Sequence, residues 1–217
     1  TQWVTMLNGM FSFALWDTNR EELILARDAL GIKPLVRCEV DGSLLFSSEI
    51  KAFHAHESYR PKFDETSLAL RLSWEYTLDS STLIDGVHQV RPGTVEVWKL
   101  DAKSRPYLSS VSNFERQNII PDNNWNPQID AESLLESFTV SVQERLMADV
   151  PVGIVLSGGL DSSLVAAVAS EAADREGKPV PACWTVAESE DNPDWIAAEN
   201  VAASLDLVHH QTIMSED

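Results

Sequence analysis

The sequence is short of basic residues, and that shortage excludes several classes of partner. Lys and Arg number 16 against 34 Asp and Glu, so the formal net charge is −18. A chain this acidic is not drawn to nucleic acid or to an anionic membrane surface by its overall charge. Anionic substrates would have to be bound locally, through backbone N–H groups, a few cationic side chains and a metal ion.

Cysteines and long apolar segments are also scarce. The two cysteines, Cys38 and Cys183, lie far apart in apolar stretches, without the CxxC spacing of a metal site. We interpret both as small buried side chains in a reducing compartment. No uncharged apolar run approaches the ~20 residues of a membrane helix, and the first residues do not form a signal peptide. The sequence therefore predicts a cytoplasmic protein with no membrane partner.

The first half of the chain has the short apolar runs and turn signals of β-structure. Asp41-Gly42 is a two-residue hairpin signal, since both residues tolerate positive φ. The composition becomes rich in Ser, Asn and Pro over residues 104–127, which predicts a linker. We predict a first domain over residues 1–110, a linker over 111–128 and a second domain over 129–217. The predicted strands of the first domain cover residues 11–17, 23–26, 35–40, 44–46 and 94–98.

After the linker, strand-like and helical patterns alternate. An amphipathic helix is expected to begin at Asp130. The apolar run at 152–156 is typical of a parallel strand buried on both faces. Helices are predicted over 162–176 and 194–205, and strands over 181–186 and from Leu207 onward. This alternation indicates a doubly wound α/β sheet.

The segment SGGLDSS, residues 157–163, carries the clearest chemical signal, because it lies between a predicted strand and a predicted helix. Gly158 and Gly159 let the backbone approach an oxyanion, and N–H groups of the first helical turn complete an anion cradle. The hydroxyls of Ser157, Ser162 and Ser163 can donate to phosphate oxygens. Asp161 would repel a phosphate unless a cation intervenes, which indicates Mg²⁺ coordination. The loop has no Walker A lysine.

These residues resemble those of a known family. The run DVPVGIVLSGGLDSS, residues 149–163, resembles the ATP-pyrophosphatase domain of glutamine-dependent, class B asparagine synthetases. SGGxDS alone also occurs in enzymes that make GMP, NAD and argininosuccinate, whereas the preceding DVPVG is typical of the asparagine synthetase group. LNGMFSFALWD at 7–17, ARDALGIKPL at 26–35, FSSEIKA at 46–52 and VRPGT at 90–94 are similar to the family's type-2 glutamine amidotransferase domain.

The resemblance implies an α+β part followed by an α/β part. The first is the C-terminal portion of a layered, β-rich glutaminase of the N-terminal-nucleophile type, and the second is the start of a doubly wound ATP-pyrophosphatase domain. The implied reaction adenylates aspartate with ATP, releases pyrophosphate and forms asparagine with ammonia from glutamine. Asp161 is the implied catalytic and Mg²⁺-binding residue, and a homodimer is the assembly hypothesis. The implied ATP- and pyrophosphate-binding residues are Leu156, Ser157, Gly158, Gly159, Asp161, Ser162 and, through its backbone, Val186.

Several features of the family are not found in this sequence. The family's glutaminase nucleophile is an N-terminal cysteine, whereas this chain begins with Thr1. We therefore expect the chain to be a fragment that does not hydrolyse glutamine by itself. Two alternatives stay open: a relative that acts on another carboxylic acid, and a non-catalytic scaffold of the same fold.

Other polar residues admit structural explanations. Arg27 and Asp28 are predicted to form an ion pair that fixes a tight loop. Asp194 is a candidate for either the nucleotide site or the cap of the following helix. His209 and His210 are adjacent on a predicted strand and so point to opposite faces, which makes them a poor metal chelate.

Overall fold

The structure, a computed structural model, describes residues 2–114 and 124–214, and of Gln2 the backbone alone. The chain separates into two compact units, residues 1–121 and 122–217. Within the described residues, no helix has the length and apolar character needed to cross a bilayer.

Ten strands and four α-helices make up the described part of the chain. The strands are β1 (Ser12–Asp17), β2 (Glu22–Arg27), β3 (Val36–Val40), β4 (Ser43–Ser47), β5 (Val87–Gln89), β6 (Thr94–Leu100), β7 (Pro106–Asn113), β8 (Gly153–Val155), β9 (Ala182–Ala187) and β10 (His209–Ile213). The helices are α1 (Glu65–Trp74), α2 (Pro127–Arg145), α3 (Leu160–Arg175) and α4 (Pro193–Ser204), and short 3-10 helices cover Gln2–Met6 and Ile50–Ala55.

The first unit contains two antiparallel sheets. One has the order β1-β2-β6-β7 and the other the order β4-β3-β5. The β3–β4 hairpin turns at Asp41-Gly42, where φ is 49° and 74°, as the sequence predicts. Residues Pro106–Asn113 were predicted to begin the linker, and that prediction is wrong because they form edge strand β7. Residues 115–123 of the predicted linker lie outside the described residues.

The loop after β2 is fixed by two buried side chains that bond to backbone rather than to each other. The Arg27 guanidinium donates to the carbonyls of Lys33, Gly31 and Val90. Asp28, 2% exposed, accepts from the N–H groups of Leu30, Ile32 and Lys33. Burial alone would raise the pKa of Asp28, but these N–H groups outweigh it and lower that pKa. The predicted ion pair is therefore replaced by two separate sets of backbone hydrogen bonds.

The second unit is a parallel sheet of three strands in the order β10-β9-β8. Helices α2, α3 and α4 pack their apolar side chains on one face of this sheet, against Ile154, Leu156 and Cys183. Val155 lies on the opposite face and is 83% exposed. The prediction that this strand is buried on both faces is therefore wrong for the described residues, because their helices cover a single face.

Helix α2 begins earlier than predicted because its cap lies upstream of Asp130. The Asn126 side chain accepts from the Gln128 N–H at 3.0 Å, and Asp130 in turn accepts from the Asn126 N–H at 2.7 Å. This reciprocal arrangement satisfies two otherwise unpaired amides of the first turn. Its predicted apolar face is only partly buried, since Val142 is in the core whereas Leu134 and Leu135 are exposed.

Candidate phosphate-binding loop

The predicted phosphate loop connects the carboxyl end of β8 to the amino end of α3. It extends from Ser157 to Gly159, and α3 begins at Leu160. The carboxyl ends of parallel strands are where ligands bind in open α/β sheets. The structure therefore brings Ser157, Gly158, Gly159, Asp161 and Ser162 together at such an edge.

The serine hydroxyls of the loop form a compact hydrogen-bonded group. Ser157 Oγ lies 3.0 Å from Ser162 Oγ, and Ser162 Oγ also accepts from the Ser157 N–H at 3.3 Å. Ser163 Oγ donates to the Gly159 carbonyl at 2.7 Å. If a ligand replaced the mutual Ser157–Ser162 contact, Ser157 Oγ could donate to an oxyanion. Ser162 Oγ, which also lies 3.3 Å from the Gly159 carbonyl, could do so by releasing that carbonyl.

The two glycines have different structural requirements. Gly158 has φ of 73°, and a Cβ there would lie 2.4 Å from the backbone of Ala197 and Ala198 in α4. Gly159 has φ of −67°, and the atom nearest to a Cβ added there would be Ser157 Oγ, at 3.4 Å. Packing and conformation thus require glycine at 158, whereas at 159 the fold leaves room for a side chain.

The amino end of α3 is open to an anion. Gly159 occupies the N-cap position, and no side chain caps the helix there. The first N–H groups of a helix have no partner within the helix, and the helix dipole favours a negative charge beside them. These features suit a phosphate group at this end of α3.

Asp161 follows in the first turn of α3 and is exposed. Among the described residues, no cationic side chain forms a salt bridge with its carboxylate. The described residues also contain no group of three metal-ligating side chains. Asp161 therefore fits Mg²⁺ only in the mode in which one carboxylate, substrate phosphates and water share the ion.

Leu156 and Val186, the other two predicted site residues, have very different surroundings. The Leu156 side chain is buried among α3 and α4 residues, so only its backbone can take part in binding. Val186 lies on β9 with its side chain 58% exposed. The sequence-based assignment of that side chain to the core is wrong, because it lies on the sheet face that the described helices leave open.

The structure places the remaining polar candidates, Asp194, His209 and His210, on α4 and β10. The cap of α4 is Asn192, whose side chain accepts from the Asp194 N–H at 2.8 Å, so Asp194 does not cap the helix. His209 and His210 point to opposite faces, as predicted. His210 stacks on the Trp184 ring at 4.9 Å, and His209 contacts Thr185.

Thr185 is the residue that sequence reasoning missed. It lies on β9, is 4% exposed and donates to the Leu156 carbonyl at 2.6 Å. In sequence it is one more β-branched residue of an apolar strand, and its partner lies 29 positions upstream. No local signal marks it as a neighbour of the phosphate loop.

Comparison with known proteins matches two family models to successive parts of the chain. A family model described as "Glutamine amidotransferase domain" matches residues 1–108, and one described as "Asparagine synthase" matches residues 133–217. Asparagine synthetase [glutamine-hydrolyzing] 3 of Bacillus subtilis (strain 168) is 30% identical over 227 residues, covering 98% of this chain and 36% of the relative. The chain belongs to the glutamine-dependent asparagine synthetase family.

Two further relatives extend the comparison. Asparagine synthetase [glutamine-hydrolyzing] of Zea mays is 36% identical over 218 residues, which cover 97% of this chain and 31% of that protein. Amidase chry2 of Gibberella zeae is 38% identical over 171 residues, which cover 77% of this chain and 24% of that protein. The chain thus spans roughly a quarter to a third of the length of the curated relatives it matches.

Proposed function

We propose that this chain is part of an ATP-dependent amide ligase that makes asparagine from aspartate, with ammonia from glutamine. The side-chain carboxylate of aspartate attacks the α-phosphate of ATP, and pyrophosphate leaves. Ammonia then displaces AMP from the aspartyl-adenylate and forms the amide. The proposal follows from family membership together with the geometry of the loop at residues 157–163.

The loop carries the ATP-binding part of the proposal. The Ser157 and Ser162 hydroxyls lie 3.0 Å apart beside the uncapped amino end of α3. Fixed donors of this kind stabilise charge that develops on a leaving group, because they need no reorganisation during the reaction. In this role Ser157, Ser162 and the backbone of Gly158 and Gly159 hold the pyrophosphate, and the Val186 backbone contacts adenine.

Asp161 has a separate role in the proposal. Its exposed carboxylate, next to Ser162 in the first turn of α3, would hold the ion that accompanies ATP. When bound, Mg²⁺ supplies Lewis-acid stabilisation of the negative charge on the departing pyrophosphate. The acidic chain otherwise disfavours a polyanionic ligand, so this local cation also offsets the repulsion from the overall charge of −18.

The same family supports a second candidate, a ligase of this mechanism with another carboxylic acid as substrate. Two fungal relatives named as amidases, chry2 and chyE, are 38% and 34% identical to the chain. Those identities are as high as the 30–36% of the named asparagine synthetases. The loop chemistry is common to both candidates, so the acid substrate is what separates them.

The proposal also extends to the architecture and setting of the enzyme. We expect the second unit to be the start of a doubly wound sheet, and the first to be the C-terminal part of a layered glutaminase. Both cysteines are unpaired and buried, which is compatible with a cytoplasmic enzyme. Its partners are then the small molecules aspartate, glutamine and ATP, and a homodimer remains the assembly hypothesis.

The test is release of pyrophosphate from ATP by the complete gene product, with aspartate and ammonium as substrates and Asp161→Ala as the control. Release that needs both aspartate and Mg²⁺, and is lost in the variant, supports the proposal and the metal role. Release with a different acid alone keeps the mechanism and favours the second candidate. A folded protein that releases none with any acid refutes both and favours a non-catalytic scaffold.

A further inference from the structure

A buried hydrogen-bond chain ends at the phosphate loop, although its members lie outside the loop motif. Thr185 on β9 donates its hydroxyl to the Leu156 carbonyl at 2.6 Å. On its other side, the same hydroxyl oxygen lies 2.8 Å from His209 Nε2 on β10. The hydrogen-bond chain therefore runs from β10 through β9 to Leu156, the residue that follows β8 and precedes the loop.

The direction of this chain is fixed by proton counting. A threonine hydroxyl has one proton, and here that proton is donated to the Leu156 carbonyl. The contact with His209 must then use a lone pair of the Thr185 oxygen, so Nε2 of the ring carries the donated proton. His209 is consequently the Nε2–H donor, Thr185 relays the bond, and Leu156 accepts it.

The last bond of the chain sets the orientation of the first peptide group of the loop. The Leu156 carbonyl and the Ser157 N–H belong to one rigid peptide plane. While the carbonyl points at Thr185, the N–H points at Ser162 Oγ, 3.3 Å away. Rotation of the plane about its flanking bonds would turn both groups together. The Thr185 bond therefore holds the Ser157 N–H toward Ser162.

We infer that Thr185 and His209 are positioning residues for the phosphate loop. They hold the Leu156–Ser157 peptide group so that the Ser157 N–H and the Ser162 hydroxyl face the bound pyrophosphate together. The inference rests on the proposed function for its link to ATP, whereas the orientation of the peptide group can be measured without any reaction. A purely structural threonine would stabilise the strand and leave the loop unaffected.

Three variants separate these roles. Thr185→Val keeps the shape and removes the hydroxyl, and Thr185→Ser keeps the hydroxyl. Thr94→Val is a matched control from the first unit, since Thr94 is 3% exposed and donates to the Arg91 carbonyl at 2.7 Å. All three are compared in the complete gene product by pyrophosphate release with ammonium as the nitrogen source. In parallel, the Ser157 amide resonance of this chain is recorded by ¹H–¹⁵N NMR.

We expect Thr185→Val to lower kcat/KM for ATP by about tenfold, the effect of leaving one buried acceptor unsatisfied. Thr185→Ser should restore most of that loss, and Thr94→Val should leave kcat/KM near the wild-type value. The Ser157 amide resonance should move in Thr185→Val alone. The His209 ring should show a proton on Nε2 in its long-range ¹H–¹⁵N spectrum.

An unchanged kcat/KM in Thr185→Val, or an equal loss in Thr94→Val, overturns the inference. If the wild-type protein releases no pyrophosphate with any acid, the proposed function fails and the spectrum alone decides. In that case a displaced Ser157 resonance in Thr185→Val supports the inference, and an unmoved one overturns it.

Discussion

Substituting each loop glycine with alanine should separate folding from ligand binding. At position 158 the new Cβ would lie 2.4 Å from the α4 backbone, where carbon atoms ordinarily approach to about 3.5 Å. The backbone of α4 must therefore shift by roughly 1 Å. Such overpacking costs about 1–3 kcal/mol, and the positive φ of Gly158 adds about 1–2 kcal/mol. Together these give a loss of about 2–5 kcal/mol in the free energy of unfolding.

At position 159 the same change should have little effect on stability. The added Cβ meets Ser157 Oγ at 3.4 Å, an ordinary contact, and φ of −67° suits alanine. Loss of the glycine N-cap should lower the free energy of unfolding, and the reduced conformational freedom of the unfolded chain should raise it, each by under about 1 kcal/mol. The methyl group would instead occupy space beside the open end of α3. We expect pyrophosphate affinity to fall by at least about tenfold through lost hydrogen bonds.

Two measurements on the complete gene product, in wild type and both variants, separate these effects. Thermal unfolding reports the change in stability, and KM for ATP reports the change in ligand binding. For a unit of this size, about 1 kcal/mol corresponds to about 4–8 °C in Tm, so Gly158→Ala should lower Tm by about 10 °C or more. Gly159→Ala should keep Tm within a few degrees and raise KM. Equal losses of Tm in the two variants would refute the packing argument. A wild-type KM in Gly159→Ala would refute the placement of the anion.

Three further predictions concern residues away from the loop. Asp28→Ala removes the buried carboxylate that accepts from three backbone N–H groups, and should lower the free energy of unfolding of the first unit by about 3 kcal/mol in urea. Because folding lowers the pKa of Asp28, the wild-type advantage should persist at neutral pH and disappear as the pH falls below about 4. Glu96→Ala removes the carboxylate that pairs with the Arg37 guanidinium at 2.6 Å and accepts from the Trp98 indole at 2.9 Å. The free energy of unfolding should fall by about 3 kcal/mol, whereas Glu96→Gln, which keeps an acceptor, should lower it by less. Burial lowers the pKa of His209, with a further lowering from His210 and an opposing effect of Glu199, so folding disfavours protonation of this ring. The wild-type protein should therefore lose stability as the pH falls below about 6.5, whereas His209→Gln should not show this loss.

The elements that the sequence predicts well are those defined by local signals. Asp41-Gly42 determines its hairpin because the two residues themselves supply the positive φ. The phosphate loop is equally local, since its glycines, serines and flanking strand and helix are contiguous. Helix α2 shows the limit of such signals. Its start depends on a reciprocal cap between Asn126 and Asp130, and the predicted start at Asp130 took account of only one partner.

Strand β7 was missed because composition reports the solubility of a segment rather than its pairing. Four of its eight residues are Ser or Asn, most of them are exposed, and it begins with Pro106. An edge strand needs only one hydrogen-bonded neighbour and tolerates both features. β7 pairs with β6 along its whole length, with one register shift between Val97 and Trp98. A Ser- and Asn-rich stretch that follows a strand is thus a candidate edge strand as well as a candidate linker.

The surroundings of the loop could not be predicted, because they depend on residues that are distant in sequence. Gly158 is required by the backbone of α4, and the Leu156 carbonyl is held by Thr185 from β9. Neither partner carries a motif, since Ala197 and Thr185 are ordinary residues of a helix and a strand. A phosphate loop can therefore retain every residue of its motif and still lose its geometry through a substitution about 30 positions away. The motif supplies the hydrogen-bond donors, and contacts from the neighbouring strand and helix fix where those donors point.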